Sequence, residues 1–264
     1  MEGYIELPQC TLRYQISGSG PAVVLLHGYL ENLTIWDELT MELETDYTVL
    51  TIDLPGHGKS IYNQEVIGMD YMADCVSAVM HSVSSGKAYL IGHSMGGYAS
   101  LAFAERYPNM LTGLCLFHST PNADSHEKRE ARMNDIKLVK EGKKEQIVET
   151  NIPRLFADQN RNRLSGEIEH IKNIARSTSD TGIVGALNGM AQRPDRNHVV
   201  EHATFPVAMI FGKYDNLITM DIAKTMEERH RNAQIIYLNH SGHMGFIEEP
   251  DLTLDAIKSL LKQL

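Results

Sequence analysis

Unbroken apolar runs alternate along the chain with longer stretches in which apolar residues recur every three or four positions. The runs AVVLLH (22–27), YTVLTID (47–53), KAYLIG (87–92), LTGLCLF (111–117), PVAMIFG (206–212) and AQIIYL (233–238) have the character of strands covered on both faces. Helical periodicity falls between them, near 35–44, 69–83, 95–106, 219–230 and 251–263. This alternation predicts an α/β fold with a mostly parallel sheet flanked by helices. The opening departs from it: GYIELP and TLRYQIS read as two antiparallel strands, closed by the turn signal SGSGP, and bring the expected sheet to eight strands. From Pro121 to Asp195 there is no convincing strand, only helical and loop patterns. The chain therefore divides into a core, 1–120 and 196–264, and a helical cap, 121–195, inserted after the sixth strand.

Composition narrows the class. The chain has 264 residues, 42% of them hydrophobic, enough for a sizeable core without disulfides or metals. The 34 acidic residues outnumber the 24 basic ones, and a formal charge of −10 argues against nucleic acid as a partner. Cys10, Cys75 and Cys115 show no metal-ligand spacing and suit a reducing compartment. The segment MEGYIELPQC lacks the basic and apolar regions of a secretory signal. Apolar runs of about five residues fall far short of the roughly 20 that span a bilayer. A cytoplasmic protein without a membrane partner is expected. The cap has its own balance, with 13 Lys and Arg against 12 Asp and Glu, leaving 11 basic and 22 acidic residues elsewhere. Its single aromatic, Phe156, makes it a poor wall for a long lipid chain. Its basic bias reads either as attraction for an anionic substrate, such as a carboxylated ester, or as a solvated helical face.

The candidate chemistry starts at Gly92-His93-Ser94-Met95-Gly96-Gly97, directly after one strand and before a helix. G-x-S-x-G at a sharp strand-to-helix turn lifts a serine hydroxyl off the sheet, and the glycines give the turn room. The helix N-terminus behind it offers free N–H groups. A serine needs a base within hydrogen-bond reach. His243, in the Gly242-His243-Met244-Gly245 loop after the last strand, is the candidate, with His240 as its rival. The base needs an orienting acid. Asp215 follows the strand ending at Gly212 and is preferred, while Asp124 stands at an earlier strand end as the alternative. Two backbone donors for a developing oxyanion would be the N–H groups of Met95 and of Tyr29, in the His27-Gly28-Tyr29 loop. His118 could face the pocket or be a packed strand-end residue, and Met244 could border the site. His27, Asp53 and His57 read as structural, and Trp36 as core. No metal or organic cofactor is required.

His27-Gly28, Asp53-Leu54-Pro55-Gly56-His57-Gly58-Lys59-Ser60, Gly92-His93-Ser94-Met95-Gly96-Gly97, Gly212-Lys213-Tyr214-Asp215 and Gly242-His243 together resemble the α/β-hydrolase fold superfamily, over essentially the whole chain. The resemblance implies a serine hydrolase with a helical cap, acting on a small to medium-sized carboxylic ester or related acyl bond. Members with an Asp nucleophile are epoxide hydrolases and dehalogenases; Ser94 points away from those reactions. Other members keep the triad for carbon–carbon cleavage, lyase steps or peracid formation, and some plant members are small-molecule receptors. These remain as alternatives.

Overall fold

The computed structural model describes residues 1–62 and 64–262. Nine strands occur among them: β1 (Glu2–Leu7), β2 (Cys10–Ser17), β3 (Ala22–Leu26), β4 (Thr48–Ile52), β5 (Ile61–Tyr62), β6 (Ala88–His93), β7 (Leu111–Phe117), β8 (Val207–Gly212) and β9 (Gln234–Leu238). Helices α1 (Asp37–Leu43), α2 (Met69–Ser82) and α3 (Met95–Arg106) lie in the first half. Five helices separate β7 from β8: α4 (His126–Lys140), α5 (Lys144–Arg154), α6 (Ser165–Ser177), α7 (Asp180–Gln192) and α8 (Asn197–Glu201). The chain closes with α9 (Met220–Arg229), α10 (Gly245–Glu248) and α11 (Pro250–Leu261). The last helix was expected to reach Gln263, which lies outside the described residues.

The main path of the sheet has the eight strands expected, in the order β1-β2-β4-β3-β6-β7-β8-β9. Only β1–β2 and β2–β4 pair antiparallel along it; every later pair is parallel. The two-residue β5, which hydropathy did not reveal, pairs with β2 off this path. All residues of β3, β6 and β8 are buried, which is why they read as unbroken apolar runs rather than as alternation. Each buried Val or Leu in them contributes roughly 1.5–3 kcal/mol. By contrast β1, at the sheet edge, alternates exposed and half-buried positions.

The chain runs from β3 to β4 on one side and then crosses to β6 on the other, so the strand order reverses between β3 and β6. Open α/β sheets form their ligand crevices at such a point, beyond the carboxyl ends of the strands. The inserted helices dock on that end through α7. A Cβ on Gly182 would collide with the Gly56 carbonyl, and one on Gly189 with the Ile67 carbonyl. Glycine at these positions lets α7 touch core backbone, and Ile67 donates its N–H to the Gly185 carbonyl at 2.9 Å.

Candidate active site

Parallel pairing of β3 with β6 sets Leu26 opposite Gly92, so the loops that follow, with Tyr29 and Ser94, lie side by side. Ser94 sits between β6 and α3 with φ 49° and ψ −112°. Backbone strain of this kind costs about 1–3 kcal/mol and must be held by its surroundings. Here Ser94 N–H donates to the Phe117 carbonyl at 2.9 Å, and the Ser119 hydroxyl donates to the Ser94 carbonyl at 2.8 Å. Gly96 allows α3 to start against β3: a Cβ there would meet the Leu26 carbonyl and stand 2.7 Å from that of His27. Met95 is the first residue of α3, where an N–H has no carbonyl within the helix to bond.

His243 Nδ1 lies 2.7 Å from Asp215 Oδ2, and both side chains are buried. Asp215 Oδ1 accepts the N–H groups of Leu217 (2.7 Å) and Ile218 (2.9 Å), so the turn after β8 fixes the carboxylate. Burial alone would raise its pKa, but the imidazole of His243 and the contact with His118 outweigh it and hold the carboxyl far below the usual range. His243 Nε2 is buried with no hydrogen-bond partner among the described residues. His243 and Ser94 line one cavity of about 390 Å³, together with Tyr29, Tyr98 and residues of α4, α5 and α7.

The loop after β3 is shaped by a residue that hydropathy did not single out. Glu31, fully buried, accepts Gly28 N–H at 2.5 Å and lies 3.0 Å from His93 Nδ1. His93 Nε2 stands 2.9 Å from the His243 carbonyl. Both ring nitrogens therefore face acceptors, which demands the doubly protonated imidazolium. Burial opposes that charge, but the Glu31 carboxylate and the His243 carbonyl raise the pKa of His93 above its usual 6.5. The His93–Glu31 pair thus joins the loop after β3, the Ser94 turn and the His243 loop. His27 shows the opposite arrangement: its Nε2 accepts Leu54 N–H, and burial lowers its pKa to about 4.

Glu248 is a second residue without a local signal. Its Oε1 accepts Gly242 and Met244 N–H (2.7 and 3.2 Å), and its Oε2 accepts Ala157 N–H and the Asn160 amide (2.8 and 2.7 Å). It stitches the His243 loop to the segment after α5, as does His243 N–H, which donates to the Leu155 carbonyl at 2.6 Å. Ala157 and Asn160, more than 80 positions away, turn this local cap of the His243 loop into a tie between two segments.

Two expected substrate contacts are corrected. His118 is fully buried behind the site, with Nδ1 3.4 Å from Asp215 Oδ2 and the N–H groups of Gly212 and Gly245 each 3.2 Å from its ring nitrogens. Burial lowers its pKa to about 4. It packs against the Asp215 carboxylate and does not line the cavity. Met244 is likewise fully buried and absent from the lining, because its side chain turns into the core. Of the rivals, His240 is exposed, and Asp124 is taken up by Arg132 (Nε 2.5 Å) and Arg193 (Nη1 2.7 Å). His118, Asp215 and His243 do hold ligand-type atoms within 4.8 Å of one another, but they already serve as each other's partners. Trp36 is core, packed 4.9 Å from the Phe246 ring, and Asp53 accepts the N–H groups of Leu33 and Lys59 as a structural acid.

A switch-point crevice with a strained serine on one wall and a buried histidine–carboxylate pair on the other is the architecture of a hydrolytic α/β protein. The model of the alpha/beta hydrolase fold family matches residues 21–250, and the chain belongs to that family. A thermophilic esterase from Thermogutta terrifontis, solved with malate bound, superposes with a TM-score of 0.94 at 29% identity, covering 100% of this chain and 98% of its own. A putative 2-succinyl-6-hydroxy-2,4-cyclohexadiene-1-carboxylate synthase from Bacillus subtilis is 29% identical, with 91% of this chain and 92% of its own covered. A pimeloyl-[acyl-carrier protein] methyl ester esterase from Vibrio vulnificus is 26% identical over 91% of this chain and 94% of its own. Hydrolase function is what these relatives support. No helix among the described residues is long and apolar enough to cross a membrane.

Proposed function

We propose that the chain is a serine hydrolase cleaving a carboxylic ester, or related acyl bond, of a small to medium-sized substrate. The observation that carries this reading is His243: Asp215 holds its Nδ1, while its buried Nε2 is unpartnered on the cavity that Ser94 also lines. His243 takes the Ser94 proton as the oxygen attacks the carbonyl carbon, and Asp215 stabilises the imidazolium. The N–H groups of Tyr29 and Met95 receive the oxyanion. The alcohol leaves with the proton from His243, and water, deprotonated by the same base, releases the acid. The helices between β7 and β8 act as a cap that closes over the substrate. The three cysteines are free and buried, in keeping with a cytoplasmic enzyme. The synthase name of the Bacillus subtilis relative favours one second reading, the same residues used on a carbon skeleton rather than an ester.

Labelling with a fluorophosphonate, followed by peptide mass spectrometry, tests the assignment. An adduct on Ser94 that disappears in His243→Ala supports it. An unmodified Ser94 in folded protein refutes it. A panel of p-nitrophenyl esters of increasing chain length then separates an esterase from a carbon–carbon hydrolase, which would turn such esters over sluggishly.

A further inference from the structure

The cavity wall contributed by α4 and α5 carries three cations, Lys128, Arg132 and Arg154, against two acids, Glu127 and Asp135. Lys128, Ala131, Arg132 and Asp135 recur at helical spacing, so one face of α4 looks into the cavity, and Arg154 joins it from α5. Asp124 is shared by two guanidinium groups, those of Arg132 and Arg193, so this cluster keeps one positive charge in excess. Arg132 Nη1 makes no hydrogen bond to a described residue. The exposed guanidinium of Arg154 makes no close ion pair among the described residues and acts on Asp135 only through its field, and Lys128 Nζ donates to the Leu217 carbonyl at 3.3 Å.

Three acids share the lining, Glu31, Glu127 and Asp135. Glu31 is committed to Gly28 and His93. Glu127 lies in the first turn of α4, where its own backbone and Ser125 hold its pKa down. Asp135 faces the same space, is hydrogen-bonded by Asn151 at 3.3 Å, and has its pKa raised by burial. Besides His243 Nε2, the Tyr29 hydroxyl on this lining is a buried oxygen with no partner among the described residues, in the field of Asp135 and Arg132. Burial pushes its pKa up, so it stays a donor. A buried donor beside a guanidinium with free N–H calls for an anionic oxygen acceptor.

We propose that this wall, Arg132 with the Tyr29 hydroxyl and flanked by Arg154 and Lys128, binds a free carboxylate of the substrate, so that the preferred substrates are half-esters of short dicarboxylic acids. The inference rests on the ester-hydrolase reading above and specifies its substrate class. Charge-assisted hydrogen bonds to a buried carboxylate, against an uncharged group of the same shape, correspond to roughly tenfold or more in selectivity.

The test compares monomethyl succinate with methyl 4-oxopentanoate, a neutral ester of nearly the same shape, by pH-stat at pH 7. The expected ratio of kcat/KM favours the half-ester by about tenfold or more and shrinks as salt is added, since exposed parts of the wall are screened. In Arg132→Gln the ratio falls toward one. Arg154→Gln, which leaves the Asp124 cluster intact, lowers it by a smaller factor and keeps the test open if Arg132→Gln does not fold. Equal turnover of the two esters, or a ratio unchanged in both variants, overturns the proposal while leaving an ester hydrolase. If neither ester is cleaved, the hydrolase reading fails on its own account, and titration calorimetry with succinate decides the subsite. Heat of binding that is lost in Arg132→Gln, or weakened in Arg154→Gln, supports it, and no binding at millimolar succinate overturns it.

Discussion

Asp215→Asn separates orientation from charge at the candidate site. Asp215 Oδ1 accepts two backbone N–H groups, from Leu217 and Ile218, and Oδ2 faces His243 Nδ1 at 2.7 Å. An asparagine fits the same space and keeps its carbonyl on the two N–H groups, because the alternative would set its amide against donors. Its NH2 must then point at His243 Nδ1, which becomes an acceptor. The ring proton moves to Nε2, the atom that receives the Ser94 proton in the proposed mechanism. The fold keeps its turn hydrogen bonds and loses little stability, while catalysis loses both the correct tautomer and the charge that stabilises imidazolium. The equivalent change in a serine protease, the handed-down reference case for such triads, costs about 10⁴ in kcat. We expect a loss of roughly 10³–10⁴, or about 4–5.5 kcal/mol of transition-state stabilisation at 1.36 kcal/mol per decade. The assay is kcat and KM on p-nitrophenyl acetate at pH 7–8, with thermal unfolding as the control, and Asp124→Asn measured in parallel. Asp124→Asn strips the counterion from Arg132 and Arg193 and shows its main effect as a lower Tm. Asp215→Asn remaining within tenfold of wild type, with Asp124→Asn losing a thousandfold, would show that the triad acid has been misassigned.

Ser94→Ala should lower kcat by on the order of 10⁵ or more and abolish fluorophosphonate labelling, with circular dichroism unchanged; residual turnover near wild type would remove Ser94 from the chemistry. Glu31→Gln leaves the buried His93 charge uncompensated and should destabilise by roughly 3–5 kcal/mol, read by denaturant unfolding. Its pH dependence has a definite sign. The raised pKa of His93 makes its contribution complete below pH 6.5 and lost as pH climbs through the folded value, and the depressed pKa of Glu31 makes its contribution present above pH 4.5 and lost in acid. The gap between wild type and Glu31→Gln is therefore widest between those limits; a gap that keeps growing above pH 8 contradicts the ion pair. Gly96→Ala drives a methyl onto the backbone carbonyls of Leu26 and His27, neither of which is a flexible side chain, and should cost about 1–3 kcal/mol in stability together with most of the activity. Wild-type Tm and activity in that variant would show that α3 has slack against β3.

Elements with a repeating signal were legible from the chain alone. The buried strands announce themselves because parallel strands in mid-sheet are apolar on both faces, and α2, α3 and α9 were placed to within a residue or two by their periodicity. The Ser94 turn was legible for a local reason as well: its backbone geometry demands glycines at fixed offsets, whatever the rest of the fold does. The two-residue β5 escaped because two residues carry no period.

The local sequence determined where strand becomes helix, where the turns fall, and which side chains of special chemistry stand at strand ends. What it left open depends on distance in space between residues remote in sequence. Whether Asp215 or Asp124 meets His243 was decided by the Arg132 and Arg193 side chains that claim Asp124. His118 could have faced the pocket or packed at the strand end, and contacts with Asp215, Gly212 and Gly245 select the packed position. Glu31 and Glu248 are single acids with no motif around them, and acquire their joining roles only when the fold brings His93 to the one and Ala157 and Asn160 to the other within 3 Å. Periodicity and turn chemistry act over a few residues and are written in order along the chain. Charge pairing and hydrogen-bond satisfaction act through space, and only the closed tertiary structure selects their partners.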